Sequence, residues 1–99
     1  NTLFGTVVDS LSNNYLENVQ IFNSEGLLLS VSNQNGYYAY STSSDTLNIY
    51  FIKDGYQILA HTYDFSANHN LELNIKLHPL KENLNTINVS DVKSSFESS

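Results

Sequence analysis

The sequence predicts an all-β domain: a sandwich of seven short strands, antiparallel or mixed, joined in Greek-key fashion. Three observations predict it. Turn residues recur at roughly 8–12-residue spacing, the interval of short sandwich strands. Leu71, Leu73, Ile75 and Leu77 alternate with Glu72, Asn74 and Lys76, the period of a half-buried strand. No segment sustains a helical period, and the abundant Asn, Ser and Tyr favour turns and strands.

The first strand runs from Leu3 to Asp9 and is followed by the turn-rich loop Ser10–Asn14. Asn18–Phe22 is the second, with Val19 and Ile21 on one face. Asn23–Gly26 is a tight reversal leading to a third strand, Leu27–Ser32. In the next turn, Asn33–Gly36, the pair Asn35-Gly36 is expected to supply the positive φ angles of a tight hairpin. Tyr37–Ser41 is the fourth strand and Leu47–Ile52 the fifth, with Leu47, Ile49 and Phe51 pointing inward. Asp54-Gly55 turns the chain into a sixth strand, Tyr56–Tyr63. Leu71–Leu77 is the seventh, and Pro79 ends it because a proline has no N–H for the ladder. The expected core is Val7, Val19, Ile21, Tyr38, Leu47, Ile49, Phe51, Leu73, Ile75 and Leu77. Residues 1–79 are expected to form the domain, and residues 80–99 a flexible tail ending in the Ser-rich run Ser94–Ser99.

Length and charge narrow the function. The 99 residues suit one domain, large enough to bury roughly 65% of its unfolded surface without staples. There is no cysteine, hence no disulfide framework and no thiol chemistry. A formal charge of −6, with lysines but no arginine, excludes a nucleic-acid binder, which needs a basic footprint. It also disfavours anionic lipid. No apolar run approaches the ~20 residues of a membrane-spanning helix. No signal peptide opens the sequence, which leaves a cytoplasmic chain, a processed one or an excised segment.

Catalysis and metal binding find little support. His61, His69 and His78 lack the paired spacing of zinc ligands. Asp9, Asp54 and Asp64 are not grouped in a dense calcium loop; turn formation and strand termination account for them. No Gly-x-Ser-x-Gly turn presents a nucleophile. The expectation is a non-enzymatic domain with no metal and no cofactor. Tyr37, Tyr38, Tyr40, Tyr50, Tyr56 and Tyr63 offer either a stacking platform or, as strand residues commonly do, core edges and cross-strand pairs. Tyr38 is expected inside, Tyr37 and Tyr50 outside.

Four motifs stand in a fixed order: Gly5-Thr6-Val7-Val8-Asp9, Asn33-Gln34-Asn35-Gly36-Tyr37-Tyr38, Phe51-Ile52-Lys53-Asp54-Gly55-Tyr56, and Leu84-Asn85-Thr86-Ile87-Asn88-Val89. At these motifs the chain resembles the carboxypeptidase regulatory-like domain, a transthyretin-like (prealbumin-like) β-sandwich. In particular it resembles the version at the N-terminus of Bacteroidetes TonB-dependent outer-membrane receptors. Gly5, Val7 and Asp9 match Gly-x-Val-x-Asp. Leu16, Val19 and Ile21 match Pro-Leu-x-Gly-Val-x-Val, with Tyr15 in place of the proline and Asn18 in place of the glycine. Ser32, Asn33, Gly36 and Tyr38 fit Thr-Asp-x-x-Gly-x-Phe, Gly55-Tyr56 is the family's Gly-Tyr, and Ile75 and Leu77 fit the final Leu-x-Leu.

The resemblance implies a periplasmic accessory domain, attached to the plug and barrel of an outer-membrane nutrient receptor and not itself inserted in the membrane. The tail segment Leu84, Asn85, Thr86, Ile87, Asn88 and Val89 is then the partner-binding site, offered by strand addition to TonB or another periplasmic protein. Thr86 replaces the acidic residue usual there. The alternative is a spacer or carbohydrate-contacting module of a secreted hydrolase or surface adhesin.

Overall fold

The computed structural model describes residues 1–80. The strands are β1 (Thr2–Asp9), β2 (Gln20–Asn23), β3 (Leu28–Val31), β4 (Tyr37–Ser41), β5 (Thr46–Ile52), β6 (Leu59–Asp64), β7 (Asn70–Glu72) and β8 (Ile75–Leu77), with no helix among the described residues. Two sheets face each other. The first has the order β4-β1-β7, with β8 also paired to β1; the second is β3-β2-β5-β6. The all-β sandwich expected from the sequence is the fold.

Alternation along each strand puts one row of side chains into the space between the sheets. The buried core is Leu3, Val7, Leu16, Val19, Ile21, Tyr38, Ile49, Phe51, Tyr63, Phe65, Ile75 and Leu77. Leu47 and Leu73, expected inside, are only partly buried and pack on its margin. The Tyr38 ring meets Phe51 edge-on, centroids 5.4 Å apart at 78°, joining the two sheets through a favoured aromatic geometry.

The expected seventh strand is interrupted. β7 pairs with Thr2–Phe4 and β8 with Val7–Asp9, both parallel to β1. The register is unchanged across the break, since Phe4 faces Glu72 and Val7 faces Ile75. One carbonyl causes the interruption. A regular parallel ladder of this register would direct the Thr6 N–H to the Leu73 carbonyl. Instead Leu73 O accepts the Tyr38 hydroxyl at 2.6 Å, and Thr6 N–H donates to Asn74 Oδ1 at 3.1 Å. The rotated carbonyl lies directly over Gly5, where a Cβ would overlap it. The opening glycine is there for this close approach.

The Asn33–Gly36 turn also differs from expectation. Gly36 has φ +72°, but Asn35 is not in the positive-φ region. The turn does not close a hairpin either: β3 pairs with β2 while β4 pairs with β1, so the chain crosses between sheets here. Asn33 Oδ1 accepts the N–H groups of Asn35 and Tyr37 at 2.9 and 3.0 Å, a side-chain-built turn. Asn23 makes the same pair of bonds to Glu25 and Leu27, and there the turn does join paired strands, β2 and β3.

The sixth strand begins later than expected, at Leu59. Before it, residues 55–57 pair with the chain leaving β8: Gln57 N–H donates to His78 O at 2.8 Å, and Leu80 N–H to Gly55 O at 2.8 Å. Pro79 faces Tyr56 in an isolated bridge. The proline thus ends β8 and carries the chain from the first sheet to the second.

Candidate functional site

The six tail residues singled out from the sequence, Leu84–Val89, lie outside the described residues. Their point of departure is defined: Leu80, held by Gly55 beside the turn between β5 and β6.

The other motifs converge on one another. Asp9 Oδ1 accepts the N–H groups of Leu11 and Ser12 at 2.7 and 3.0 Å, forming the turn that ends β1. Its Oδ2 accepts the Tyr56 hydroxyl at 2.6 Å. The first and third motifs are thereby bonded across the sandwich. The bond from Tyr56, followed by those from the Ser12 and Leu11 N–H groups, holds the Asp9 carboxyl below its usual range. The same bond pushes the Tyr56 phenol up. Asp64 is lowered likewise by Ser66, whose N–H it accepts at 2.9 Å as β6 ends.

A carboxyl whose folded pKa lies below its unfolded value near ~3.9 stabilises the fold above that value and loses the effect as pH falls through the folded one. Acid should therefore weaken the sandwich below about pH 4. Tyr56→Phe removes the largest cause of the Asp9 shift, so its melting temperature should fall less steeply with acid than the parent's. Equal slopes in thermal melts of the two proteins would dissociate this bond from the acid response.

Ser32, immediately before the second motif, anchors the loop before β2. The buried Ser32 hydroxyl donates to Leu16 O at 2.7 Å and accepts Val19 N–H at 2.9 Å, spanning Asn18, which has φ +63°. Asn18 thus adopts the conformation of the glycine it replaces, which asparagine tolerates better than most residues. Gly36 packs its Cα on the Val7 carbonyl, 2.5 Å from where a Cβ would sit. Ser32→Ala would leave Leu16 O and Val19 N–H without their partner, at an expected cost of about 1–3 kcal/mol in urea unfolding; a loss below about 0.5 kcal/mol would contradict the anchoring role.

Each histidine has its own local partner. His61 tilts over Tyr63 with centroids 4.6 Å apart. His69 Nδ1 lies 2.7 Å from Asn1 Oδ1, and His78 Nδ1 lies 2.9 Å from Ser10 Oγ. The Ser10–His78 contact pairs a hydroxyl with an imidazole, but the adjacent Asp9 carboxylate is committed to Tyr56, Leu11 and Ser12 rather than to His78. No three His, Asp or Glu side chains come together among the described residues.

The tyrosines divide as the alternation indicates. Tyr38 and Tyr63 are buried, while Tyr37 and Tyr50 are 46% and 36% exposed. Burial pushes both buried phenols well above their usual range. Tyr37 lies opposite Thr6 on the outside of the first sheet, and Tyr50 opposite Phe22 on the outside of the second. They therefore share no stacking platform.

An outer-face groove went unnoticed in the sequence. It holds about 370 Å³, walled by Phe22, Tyr50, Ile52 and Ile58 and closed by the Asn23–Gly26 turn. The signal was the run Tyr50-Phe51-Ile52, where apolar residues occupy both faces of β5. A more polar depression of about 260 Å³ adjoins it across Tyr50; there Thr62 Oγ1 donates to Asn48 Oδ1 at 2.8 Å.

This geometry defines a class: a two-sheet β-sandwich domain whose motif residues build turns and close approaches. Solved structures agree on the fold. The major pilin subunit BcpA of Bacillus cereus superposes with a TM-score of 0.63 and 17% identity, over 80% of this chain and 30% of the pilin. The group B streptococcus pilus 2b backbone protein gives 0.59 and 9%, over 79% of this chain and 40% of that one. The C-terminal domain of the PapC usher gives 0.55 and 15%, over 80% of this chain and all of the usher domain. This chain thus spans well under half the length of the two pilins. No protein-family model matches it, and no curated protein matches it.

Proposed function

We propose that this chain is a carboxypeptidase regulatory-like accessory domain of a TonB-dependent outer-membrane receptor, non-enzymatic and facing the periplasm. In this reading the sandwich positions the Leu84–Val89 segment and the plug and barrel that follow it. The segment engages TonB or another periplasmic protein by adding a strand to an exposed sheet edge. The supporting observation is the interlocking of the ordered motifs. Gly5 lies under the Leu73 carbonyl, Gly36 on the Val7 carbonyl, and Tyr56 on Asp9. Gly5, Gly36, Asp9 and Tyr56, which carry part of the family resemblance, are thus positions this fold uses.

The test is calorimetric titration of a peptide spanning Lys81 to Lys93 into the periplasmic domain of TonB. Binding that is lost when Ile87 and Val89 are both changed to Asp is expected. Absence of binding by the unaltered peptide would defeat the assignment of the segment.

The second reading is a spacer or carbohydrate-contacting module of a secreted hydrolase or surface adhesin. The likeness in fold to two pilus subunits favours its surface-protein form. A plug and long barrel encoded downstream support the receptor; a catalytic or cell-wall-anchored neighbour supports the spacer.

A further inference from the structure

Each sheet has two margins, and folded domains ordinarily guard such margins against a further strand with charges, prolines, bulges or cover. The margins formed by β3 and β4 abut each other, and the Ser30 hydroxyl donates to Ala39 O at 2.9 Å across them. The pairing of β2 with β3 also shifts register between Ile21 and Phe22. The margin formed by β7 and β8 is broken between the two strands and carries the exposed charges of Glu72 and Lys76. β6 has no such device. Its pairing with β5 runs without a shift from Asp64, facing Thr46, to Leu59, facing Phe51. It contains neither proline nor lysine, and its one acidic residue is the last.

Register shows which backbone groups are open along this edge. Phe65 N–H donates to Asp45 O at 2.7 Å. Bonded and non-bonded pairs alternate in an antiparallel ladder, so Tyr63, His61 and Leu59 bond to β5. The N–H and C=O groups of Ala60, Thr62 and Asp64 therefore point away from β5, and among the described residues nothing bonds to them. At one end the chain leaving β8 covers the edge only as far as Gln57. At the other, the Asp64 carboxylate accepts Ser66 N–H and turns the chain away. The open stretch is Ala60–Asp64, centred on Thr62.

We propose that β6 pairs antiparallel with β6 of a second copy of this chain, about a two-fold axis through Thr62, so that the second sheet continues from one protomer into the other. The symmetry of the open stretch selects this occupant. In this register Ala60 faces the partner's Asp64, Thr62 faces its own counterpart, and each of these pairs exchanges both backbone bonds. Threonine opposite threonine is a favourable cross-strand pair. His61 faces the partner's Tyr63, and these two residue types already pack together within one chain. The two Asp64 carboxylates lie at opposite ends of the pairing, roughly 14 Å apart at ~3.4 Å per residue, beyond the ~8 Å screening length of physiological salt. The axis uses up the open edge of both copies, so association stops at two. The proposal holds for either reading of the function.

The experiment is amide hydrogen exchange by NMR, with sedimentation velocity, on the full 99-residue protein over a range of concentrations. At low concentration the Ala60, Thr62 and Asp64 amides should exchange fast and those of His61 and Tyr63 slowly. Raising the concentration should slow the first three in step with a rise from monomer to dimer mass. Thr62→Lys, at an exposed position whose backbone makes no bond to β5, should hold the protein monomeric, because like charges then meet on the axis. It should do so even though it makes an acidic chain less acidic. Thr62→Glu should have the same effect, and mixing the two variants should restore a dimer with one copy of each. A protein that stays monomeric at every concentration overturns the proposal. So does a dimer that Thr62→Lys leaves intact. So does slow exchange at Ala60, Thr62 and Asp64 that dilution does not change, since the edge is then covered from within one chain.

Discussion

Replacing Gly5 with alanine is expected to destabilise the domain by at least about 3 kcal/mol, combining overpacking with a lost buried hydrogen bond. The new Cβ meets the Leu73 carbonyl, which is backbone and cannot rotate away as a side chain would. If the carbonyl retreats, the Tyr38 hydroxyl loses its acceptor inside the core. If β1 shifts instead, its pairing with both β7 and β8 is disturbed. A double-mutant cycle distinguishes these routes. Tyr38→Phe alone should cost about 1–3 kcal/mol by leaving Leu73 O unpartnered. In the Gly5→Ala background it should cost much less if the carbonyl has already moved, and about the same if the strand moved. A Gly5→Ala protein within about 1 kcal/mol of the parent in urea unfolding would contradict the close-approach account.

The second large effect is expected at Phe51. It has no exposed surface and packs edge-on against Tyr38 between the sheets. Phe51→Ala should cost about 3–5 kcal/mol, from lost transfer free energy and the cavity left behind. Domains of this size have total stabilities of roughly 5–15 kcal/mol. The variant should therefore melt at least about 12 °C lower, at ~4 °C or more per kcal/mol. Phe51→Leu, which retains most of the volume, should recover much of the loss. A drop under about 1 kcal/mol for the alanine variant would mean that the sheets collapse onto the gap more readily than packing here allows.

Strand existence was legible because side-chain period reports it directly. Val19 with Ile21, and Ile49 with Phe51, alternate with polar or exposed neighbours and are buried. The interruption at Leu73 was not legible. The apolar alternation of Leu71–Leu77 continues through it, and what turns away is a carbonyl, which leaves no mark on hydropathy. Gly5 was the only trace, on a strand distant in sequence. The Asn33–Gly36 turn was misread for a similar reason. Asn-Gly commonly closes a hairpin, but whether it does depends on which strands pair, and here β4 pairs with β1. Leu16 and Phe65 were missed in the core because they lie outside the strands, where no period exposes them. Leu3 and Tyr63 do lie in strands; Leu3 opens a segment in which Leu3, Phe4, Val7 and Val8 put apolar residues on both faces, and Tyr63 closes the expected sixth strand. As for the candidate site, the Leu84–Val89 segment was visible as a motif, whereas the groove was not. Its walls come from β2, β5 and the chain before β6, brought together by pairing alone.

The parallel pairing of β1 with β7 and β8 also has a mechanical consequence. Because these strands point the same way, Thr2 and Leu77 lie toward opposite ends of one sheet. Tension applied between those two residues pulls β1 lengthwise against its partners. The hydrogen bonds, which lie across the strands, are then loaded together in shear rather than opened one after another as in a zipper. A sheet wired in this way resists tension between those two residues better than it resists peeling from an edge.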